Sequence, residues 1–336
     1  MEAATVDEIP IGDEWQYEPK WDGFRCLAFR RVKKVELQSK SGKPLTRYFP
    51  EVVAELGKLK AENFVLDGEL VIPIGNKLSF NVLLQRIHPA ASRIKKLAEA
   101  TPATYIVFDL LEDDDGSFAE LPLEQRRKKL EAFAKREFRR SELLALSPAT
   151  RDVKVANRWF KSAGKALDGI IAKRADFEYH SEDREGMQKI KRQRTVDCVV
   201  GGFRYATSGK VVGSLLLGLY DDDGLLHHVG FTSSMPRLER KALTAKLEKL
   251  ISPPGFTGKA PGGPSRWSTK RSSEWEPLKP KLVVEVEYDH FTGGRFRHGT
   301  KLLRWRPDKA PRQCKMDQVE QAGAASFKLL AKANAR

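Results

Sequence analysis

The chain has 336 residues, of which 40% are hydrophobic and 31% charged, and it carries a net charge of +15, with a pI near 9.6 and a mean hydropathy of -0.48. Length suggests about two domains, with enough apolar content for true cores. The longest apolar run, residues 211–220, is interrupted by Gly213, Ser214 and Gly218 and is far too short to span a bilayer, so a membrane-spanning helix is excluded.

The positive excess favours a polyanionic partner, nucleic acid first. Solubility and loose attraction to a membrane surface are the plainer explanations. The acidic, polar start carries no secretory signal. Cys26, Cys198 and Cys314 are far apart, odd in number and match no zinc spacing, which suits a reducing cytoplasm.

In chain order, the run Glu18-Pro19-Lys20-Trp21-Asp22-Gly23-Phe24-Arg25 comes first. A lysine between aromatic and small residues, with Asp22 and Arg25 close by, is a candidate amine nucleophile, and an amine attacks only when neutral. Asp-Gly is equally a turn signal, and these eight residues do not choose between the two. Residues 25–29 and 35–38 alternate apolar and polar around Lys33-Lys34, predicting a hairpin directly after the lysine. Residues 65–72 predict a further strand pair with Asp67 and Glu69 on one face. Residues 105–111 read as a buried strand, 123–138 as a charged surface helix, 156–165 as another helix and 169–174 as a short strand.

The pattern changes near residue 193. Five β-rich runs follow, at 197–205, 212–220, 225–231, 282–288 and 302–305, with a helical segment at 235–250 between the third and fourth. Five strands with an interposed helix suggest a small barrel of the oligonucleotide-binding (OB) type. Residues 252–277 are rich in Pro, Gly, Ser and Lys and read as a long loop. The end, from residue 313, is rich in Ala and Lys and suits a terminal helix.

Asp67 and Glu69 could bind a ribose hydroxyl or a hard divalent cation, or simply form a solvated strand face. Asp168-Gly169 opens a short strand that reaches Lys173, and a plain turn into a strand explains it as well. Lys189 and Lys191 share one face of an extended segment and could clamp phosphate oxygens, or belong to a basic linker. Arg304 and Arg306 offer two guanidinium forks suited to a pyrophosphate, or to contacts with a nucleic-acid backbone.

Their order makes the pattern specific. Lys20-Trp-Asp-Gly, Asp67-Gly-Glu69, Tyr105 to Phe108, Asp168-Gly, Lys189-Ile-Lys191 and Arg306-Pro-Asp308-Lys309 run as in the covalent lysine nucleotidyltransferases: ATP-dependent DNA ligases, RNA ligases and messenger RNA capping enzymes. The match covers residues 18 to about 310. Within that group the chain resembles the bacterial ligase C type, through Lys20-Trp-Asp-Gly-Phe-Arg, the run from Leu167 to Arg174, and the run from Phe296 to Lys309. Because only a short segment precedes Lys20 in this sequence, no helical DNA-binding domain is expected ahead of the core.

The resemblance implies an α+β fold. An adenylation domain of antiparallel sheets and helices (nucleotidyltransferase, ATP-grasp-like) would occupy 1–192, and an all-β OB-fold barrel, with the basic loop and a helical tail, would occupy 193–336. It implies ATP and a divalent metal, Mg²⁺ or Mn²⁺, as cofactors. Lys20 would accept AMP. Glu18 and the adjacent backbone would sit near adenine, Phe108 would stack on it, and Arg25 and Glu69 would hold the ribose and nearby phosphate. Lys173 and Arg304 would belong to the ATP site. Asp168, with Glu69, would bind the metal, and Lys189 and Lys191 would contact the α-phosphate. Arg306, Asp308 and Lys309 would close over the β- and γ-phosphates in the first step only, with a hinge near residues 193–196.

Two departures stand out. Ser39-Lys40-Ser41-Gly42 has lysine where the family usually has arginine, which keeps the charge and loses the fork. Asp168 stands where many relatives have glutamate. Nicked duplex DNA would be held by the core itself, through Lys40, the loop residues Lys259, Arg266, Lys270 and Arg271, and the cluster Arg295, Arg297 and Lys301. Trp267 and Trp275 would either pack on DNA or pin their own loop. The resemblance further implies a monomer in the bacterial cytoplasm, at the nucleoid, serving repair, with Ku as a candidate partner. Two alternatives stay open: an RNA ligase or capping-type guanylyltransferase, and a non-catalytic OB-fold DNA-binding protein.

Overall fold

The structure, a computed structural model, describes residues 2–75, 77–162, 167–180, 184–191, 194–207, 209–262 and 274–319. They form two compact units, the first within Met1–Arg192 and the second within Gln193–Gln321. The strands of the first unit are β1 (Ala4–Val6), β2 (Trp15–Lys20), β3 (Phe24–Arg31), β4 (Lys34–Ser39), β5 (Asn63–Val71), the short pair β6 (Pro73–Ile74) and β7 (Lys77–Leu78), β8 (Thr104–Asp113), β9 (Gly116–Ser117), β10 (Leu144–Leu146), β11 (Gly169–Arg174) and β12 (Met187–Lys191). Its helices are α1 (Pro50–Gly57), α2 (Phe80–Leu84), α3 (Ala91–Ala100), α4 (Leu123–Glu137) and α5 (Val153–Ser162).

Two sheets organise this unit. One has the order β1-β12-β11-β2, the other β10-β8-β5-β3-β4 with β9 beside β8. Period-two alternation assigns each face. On β2, β11 and β12 the residues Trp15, Tyr17, Ile170, Ala172 and Ile190 pack with Ala156 of α5, so Gln16, Glu18, Lys20, Lys173 and Lys189 fall on the opposite face. In the second sheet Phe64, Leu66 and Leu70 of β5 join Phe133 of α4 and Val52 of α1 in the main core. That turns Asp67 and Glu69 to the other side. A small cluster of Trp21, Val71, Ile106, Ala145 and Leu167 ties the chain just after β2 to β5, β8 and β10.

The hairpin after Lys20 forms as β3–β4, turning at Val32, which takes φ 52°. The expected strand pair at 65–72 is a single strand, β5, paired on both edges with β3 and β8. The helix expected at 123–138 is present, but it is not merely a solvated one. It carries Arg126, fully buried, whose fork meets Asp109 of β8 at 2.9 and 3.0 Å. Helices α1, α2 and α3 were not foreseen.

The second unit contains β13 (Arg194–Tyr205), β14 (Val212–Tyr220), β15 (Leu226–Thr232), β16 (Glu276–Pro277), β17 (Val283–Tyr288), β18 (Phe291–Thr292), β19 (Arg295–Phe296), β20 (Lys301–Trp305) and α6 (Arg240–Glu248). Its sheet runs β15-β14-β13-β17-β20, with β16 beside β13. Counting the five long strands in chain order, this is 3-2-1-4-5. The edge strands meet at an isolated parallel bridge, Thr232 to Thr300, and Leu302 N donates to Ser234 Oγ at 2.7 Å beside it. The unit is therefore a partly open sheet of the OB type expected. Trp275 packs on Phe256, ring centroids 5.5 Å apart, and so pins its own loop. Arg266, Trp267, Lys270, Arg271 and residues 320–336 of the expected terminal helix lie outside the described residues, as do residues 192 and 193 of the expected hinge; where that helix was to begin, the chain forms the 3-10 turns Pro311–Gln313 and Met316–Gln318 instead. No helix among the described residues is long and apolar enough to cross a membrane.

Candidate active site

Register places the reactive groups. Across β2, β11 and β12, Lys20 pairs with Gly169 and Gly169 with Lys191; two rows away Glu18 pairs with Ile171 and Ile171 with Lys189. Directly paired residues point to the same side of a sheet, so Lys20, Lys191, Glu18 and Lys189 line one face. Gly169 is required in the middle of that row. Its φ is +143°, and a Cβ there would lie 1.9 Å from the Ile190 carbonyl oxygen.

Lys20 Nζ forms a short ion pair with Asp168 Oδ2, and Lys191 Nζ lies 3.7 Å from the same oxygen. The Asp168 amide donates to the Lys20 carbonyl at 3.0 Å, so backbone and side chain both hold the acid against the lysine. Trp21 anchors the turn that follows, its indole Nε1 donating to Ser147 Oγ at 3.0 Å in a buried setting.

Glu18 is buried and carries two donors. Lys173 Nζ lies 2.8 Å from Oε2, and Gln16 Nε2 donates to Oε1 at 2.9 Å. Lys173 Nζ also sits 4.5 Å from the centroid of the Phe108 ring, and the Arg25 guanidinium lies 5.8 Å from the same centroid. Both contacts have cation–π geometry. Two cations thus lie within cation–π range of the half-buried Phe108 ring.

Arg25 is held by Asp67, with Nε to Oδ1 at 3.1 Å and NH2 to Oδ2 at 2.6 Å. Tyr179 donates its hydroxyl to Asp67 Oδ2 at 2.8 Å. Burial alone would raise the Asp67 carboxyl; the Arg25 ion pair and the Tyr179 hydrogen bond outweigh it and hold the group below the usual carboxylate value. Asp67 is fully buried, so this end of the strand is no solvated face. Glu69 differs. Its Oε1 accepts from the Gly23 amide at 3.1 Å, and burial pushes its carboxyl up to about 8; Lys20 and Arg25 pull it down, while Asp22 and Asp67 push it further up. A divalent cation would supply the charge this carboxyl lacks. Among the described residues no three His, Cys, Asp or Glu side chains are grouped to hold a metal. An ion here would therefore bind through one or two carboxylates, Asp168 and Glu69, together with phosphate oxygens, the pattern that suits Mg²⁺. Lys189 is shifted down, by burial first and then by Lys191, Lys20, Lys40 and Arg184, as in a cluster built to receive an anion.

A cleft of about 1070 Å³ opens beside this site, lined among others by Arg25, Glu69, Ser39, Lys40, Ser41 and Lys43. Lys40 is paired with Glu2 at 2.8 Å, and Glu2 is shared with Arg184 at 2.9 Å.

In the second unit the terminal motif is a network of charges. Arg306 sets Nε and NH2 on Asp308, at 3.0 and 2.9 Å, and NH1 on Asp197 at 2.9 Å. Lys309 Nζ meets the other Asp197 oxygen at 3.0 Å, and Arg304 Nε meets Glu285 at 2.6 Å. Lys259, Arg295 and Lys301 are exposed and Arg297 half-buried; Arg295 NH2 also contacts His228 Nδ1 at 3.2 Å.

The first unit thus gathers Lys20, Glu18, Lys173, Asp168, Lys189 and Lys191 along one sheet, with Arg25, Glu69 and Phe108 from the other. Sequence reasoning missed Gln16, Tyr179 and Asp197. Gln16 had a signal, two residues before Glu18 on the same strand face. Tyr179 had none, because it follows β11 in an irregular segment. Asp197 was passed over as an ordinary residue of a β-rich run.

Comparison with known proteins agrees with this layout. The model of the ATP dependent DNA ligase domain matches residues 3–191, and that of the ATP dependent DNA ligase C terminal region matches 208–309. DNA ligase C2 of Mycolicibacterium smegmatis is 44% identical over 95% of this chain and 93% of its own length. DNA ligase C of Mycobacterium tuberculosis is 42% identical over 95% and 93%. A solved Lig E DNA ligase matches with a TM-score of 0.53 at 16% identity, over 91% of this chain and all of that one, and supports the fold alone. An adenylation-type unit followed by an OB-type unit, ordered motifs and this degree of identity place the chain in the family of ATP-dependent DNA ligases, beside the bacterial ligase C proteins.

Proposed function

We propose that this protein seals 5′-phosphate/3′-hydroxyl nicks in duplex DNA through a covalent Lys20–AMP intermediate. The observation that carries the reading is the lateral row Lys20–Gly169–Lys191, with Asp168 paired to the Lys20 amine. It sets an amine, an acid and a second cation at one point of a rigid sheet.

Lys20 Nζ loses its proton and attacks the α-phosphate of ATP. An N–P bond forms as the bond to the bridging oxygen breaks, and pyrophosphate leaves. AMP then passes to the nick 5′-phosphate, and the 3′-hydroxyl displaces it. Such chemistry depends on positioning and charge neutralisation. Glu18, held by Gln16 and Lys173, faces adenine, with Phe108 against its ring. Arg25, fixed by Asp67 and Tyr179, and Glu69 hold the ribose and nearby phosphate. Lys189 and Lys191 receive the α-phosphate oxygens. A divalent ion on Asp168 and Glu69 would supply charge neutralisation at the phosphates. Asp168, paired to the Lys20 amine through Oδ2, would hold that ion beside the nucleophile.

Arg304, Arg306 and Lys309 serve the β- and γ-phosphates, with Asp308 occupying the Arg306 fork until they arrive and residues near 193–196 as the hinge between 1–192 and the OB unit that follows. DNA phosphates are held by Lys40, once Glu2 is displaced, and by Lys259, Arg295, Arg297 and Lys301. We place the protein in the bacterial cytoplasm, acting as a monomer in repair. Ku stays a candidate partner, checked by sealing assays with and without it.

The test is sealing of a labelled nicked duplex with ATP and Mg²⁺ or Mn²⁺. Wild type should seal a nick with a 5′-phosphate and leave a 5′-hydroxyl nick open. Preference for an RNA strand, or for GTP, would move the protein to another branch of the superfamily.

A further inference from the structure

We propose that Asp197 is the positioning residue of the pyrophosphate-facing motif: it sets Arg306 and Lys309 in place for the first step and for no later one. The inference rests on the ligase reading above.

Asp197 lies on β13, the middle strand of the OB sheet, directly paired with Glu285 of β17. Its two oxygens are divided between two cations. Oδ1 takes Arg306 NH1 at 2.9 Å and Oδ2 takes Lys309 Nζ at 3.0 Å. One rigid carboxylate therefore fixes the spacing of the guanidinium and the ammonium. Its side chain is 11% exposed, against 17% for Arg306, 27% for Lys309 and 64% for Asp308. Asp197 thus holds NH1 of the Arg306 fork from a buried position, and the exposed Asp308 holds Nε and NH2.

An anion arriving from solvent meets Asp308 first. Charge-assisted forks exchange one anion for another of similar geometry, so phosphate oxygens can replace Asp308 on Nε and NH2 while NH1 stays on Asp197. Lys309, held on Asp197 Oδ2, offers its remaining donors to the same anion. Without Asp197, both long side chains would have to be ordered at the moment of reaction, and that cost falls on the step that uses them. Glu285 cannot substitute, because it reaches Arg306 NH1 only at 3.8 Å and is engaged by Arg304.

Asp197→Asn keeps the shape and removes the charge. The expected result is autoadenylylation slowed 10- to 100-fold in single turnover, and a raised pyrophosphate concentration for reversal of the preformed adenylate. Sealing of a pre-adenylated nick should stay within about threefold of wild type. The double variant D197N/K309M should lose little beyond K309M alone, since contacting residues that act as a unit are non-additive. Equal rates of autoadenylylation in D197N and wild type would overturn the proposal. So would equal losses in adenylylation and in sealing of the pre-adenylated nick, which would mark a merely structural role. If D197N folds poorly, the pyrophosphate dependence of K309M decides instead: an unchanged dependence overturns the proposal, a raised one supports it. Wild type that takes no label from ATP would instead sink the ligase reading itself.

Discussion

At the scale of the residue, Glu69 and Asp67 show how two carboxylates two residues apart on a strand reach opposite states. Asp67 has Arg25 and Tyr179 and stays ionised; Glu69 has one backbone amide, and burial pushes it up to about 8. A metal bound there competes with a proton. Metal affinity should therefore rise with pH and level off above about 8, by roughly tenfold between pH 7 and 9. The Mg²⁺ dependence of autoadenylylation at several pH values measures this, and a flat dependence would count against Glu69 as a ligand. Because the raised carboxyl is ionised in the unfolded chain but resists ionising in the fold, it costs stability as pH climbs from the ordinary glutamate range towards 8. Glu69→Gln should accordingly raise Tm at pH 8 while lowering activity, which a melting curve and a labelling assay on the same variant can check. The order of motifs made Lys20, Glu18, Asp168, Lys189 and Lys191 legible in the sequence. The partners that fix their geometry were not, because hydrogen bonds such as Tyr179 to Asp67 join positions 112 residues apart and leave no local pattern.

At the scale of the element, β5, β11 and β12 were readable as short extended runs, whereas β2, Trp15–Lys20, was not: its Asp-Gly sequel reads equally as a turn. Nor was the rest of the stretch from 50 to 100. Helix α1 has only eight residues and α2 five, too few turns for a clear period. Its fixings are tertiary: Arg86, fully buried, reaches Glu51 and the carbonyls of Tyr48 and Thr101. The buried Arg126–Asp109 pair is of the same kind, and it connects α4 to the site because the Arg126 guanidinium lies 5.7 Å from the Tyr179 ring centroid. Arg126→Met would leave Asp109 buried without its cation, a loss of about 3–5 kcal/mol, seen as a lower midpoint in chemical denaturation. Gly169→Ala should be as damaging locally. With φ at +143° and the Ile190 oxygen in the way, β11 and β12 must separate, and Asp168 moves away from Lys20. The expected outcome is a lower Tm together with adenylylation reduced at least 100-fold; a normal rate would mean that the row across the sheet does not set the geometry.

At the scale of the whole molecule, a net charge of +15 is spread over both units rather than concentrated in a separate DNA-binding domain among the described residues. Affinity for DNA should then come from several single phosphate contacts and fall steeply with salt. Lys40→Ala should weaken binding and reduce the slope of log K against log salt by about 1, measured by titration of a nicked duplex. An unchanged slope would remove Lys40 from the interface. The partly open OB-type sheet was legible as five strands and a helix, but the Thr232–Thr300 bridge between its edges was not, since one bridge carries no sequence period. The most direct test of the account remains the fate of Lys20. Incubated with α-labelled ATP and Mg²⁺ or Mn²⁺, the wild-type protein should become covalently labelled and Lys20→Ala should not. An unlabelled wild type, or equal labelling of the variant, would contradict the central claim.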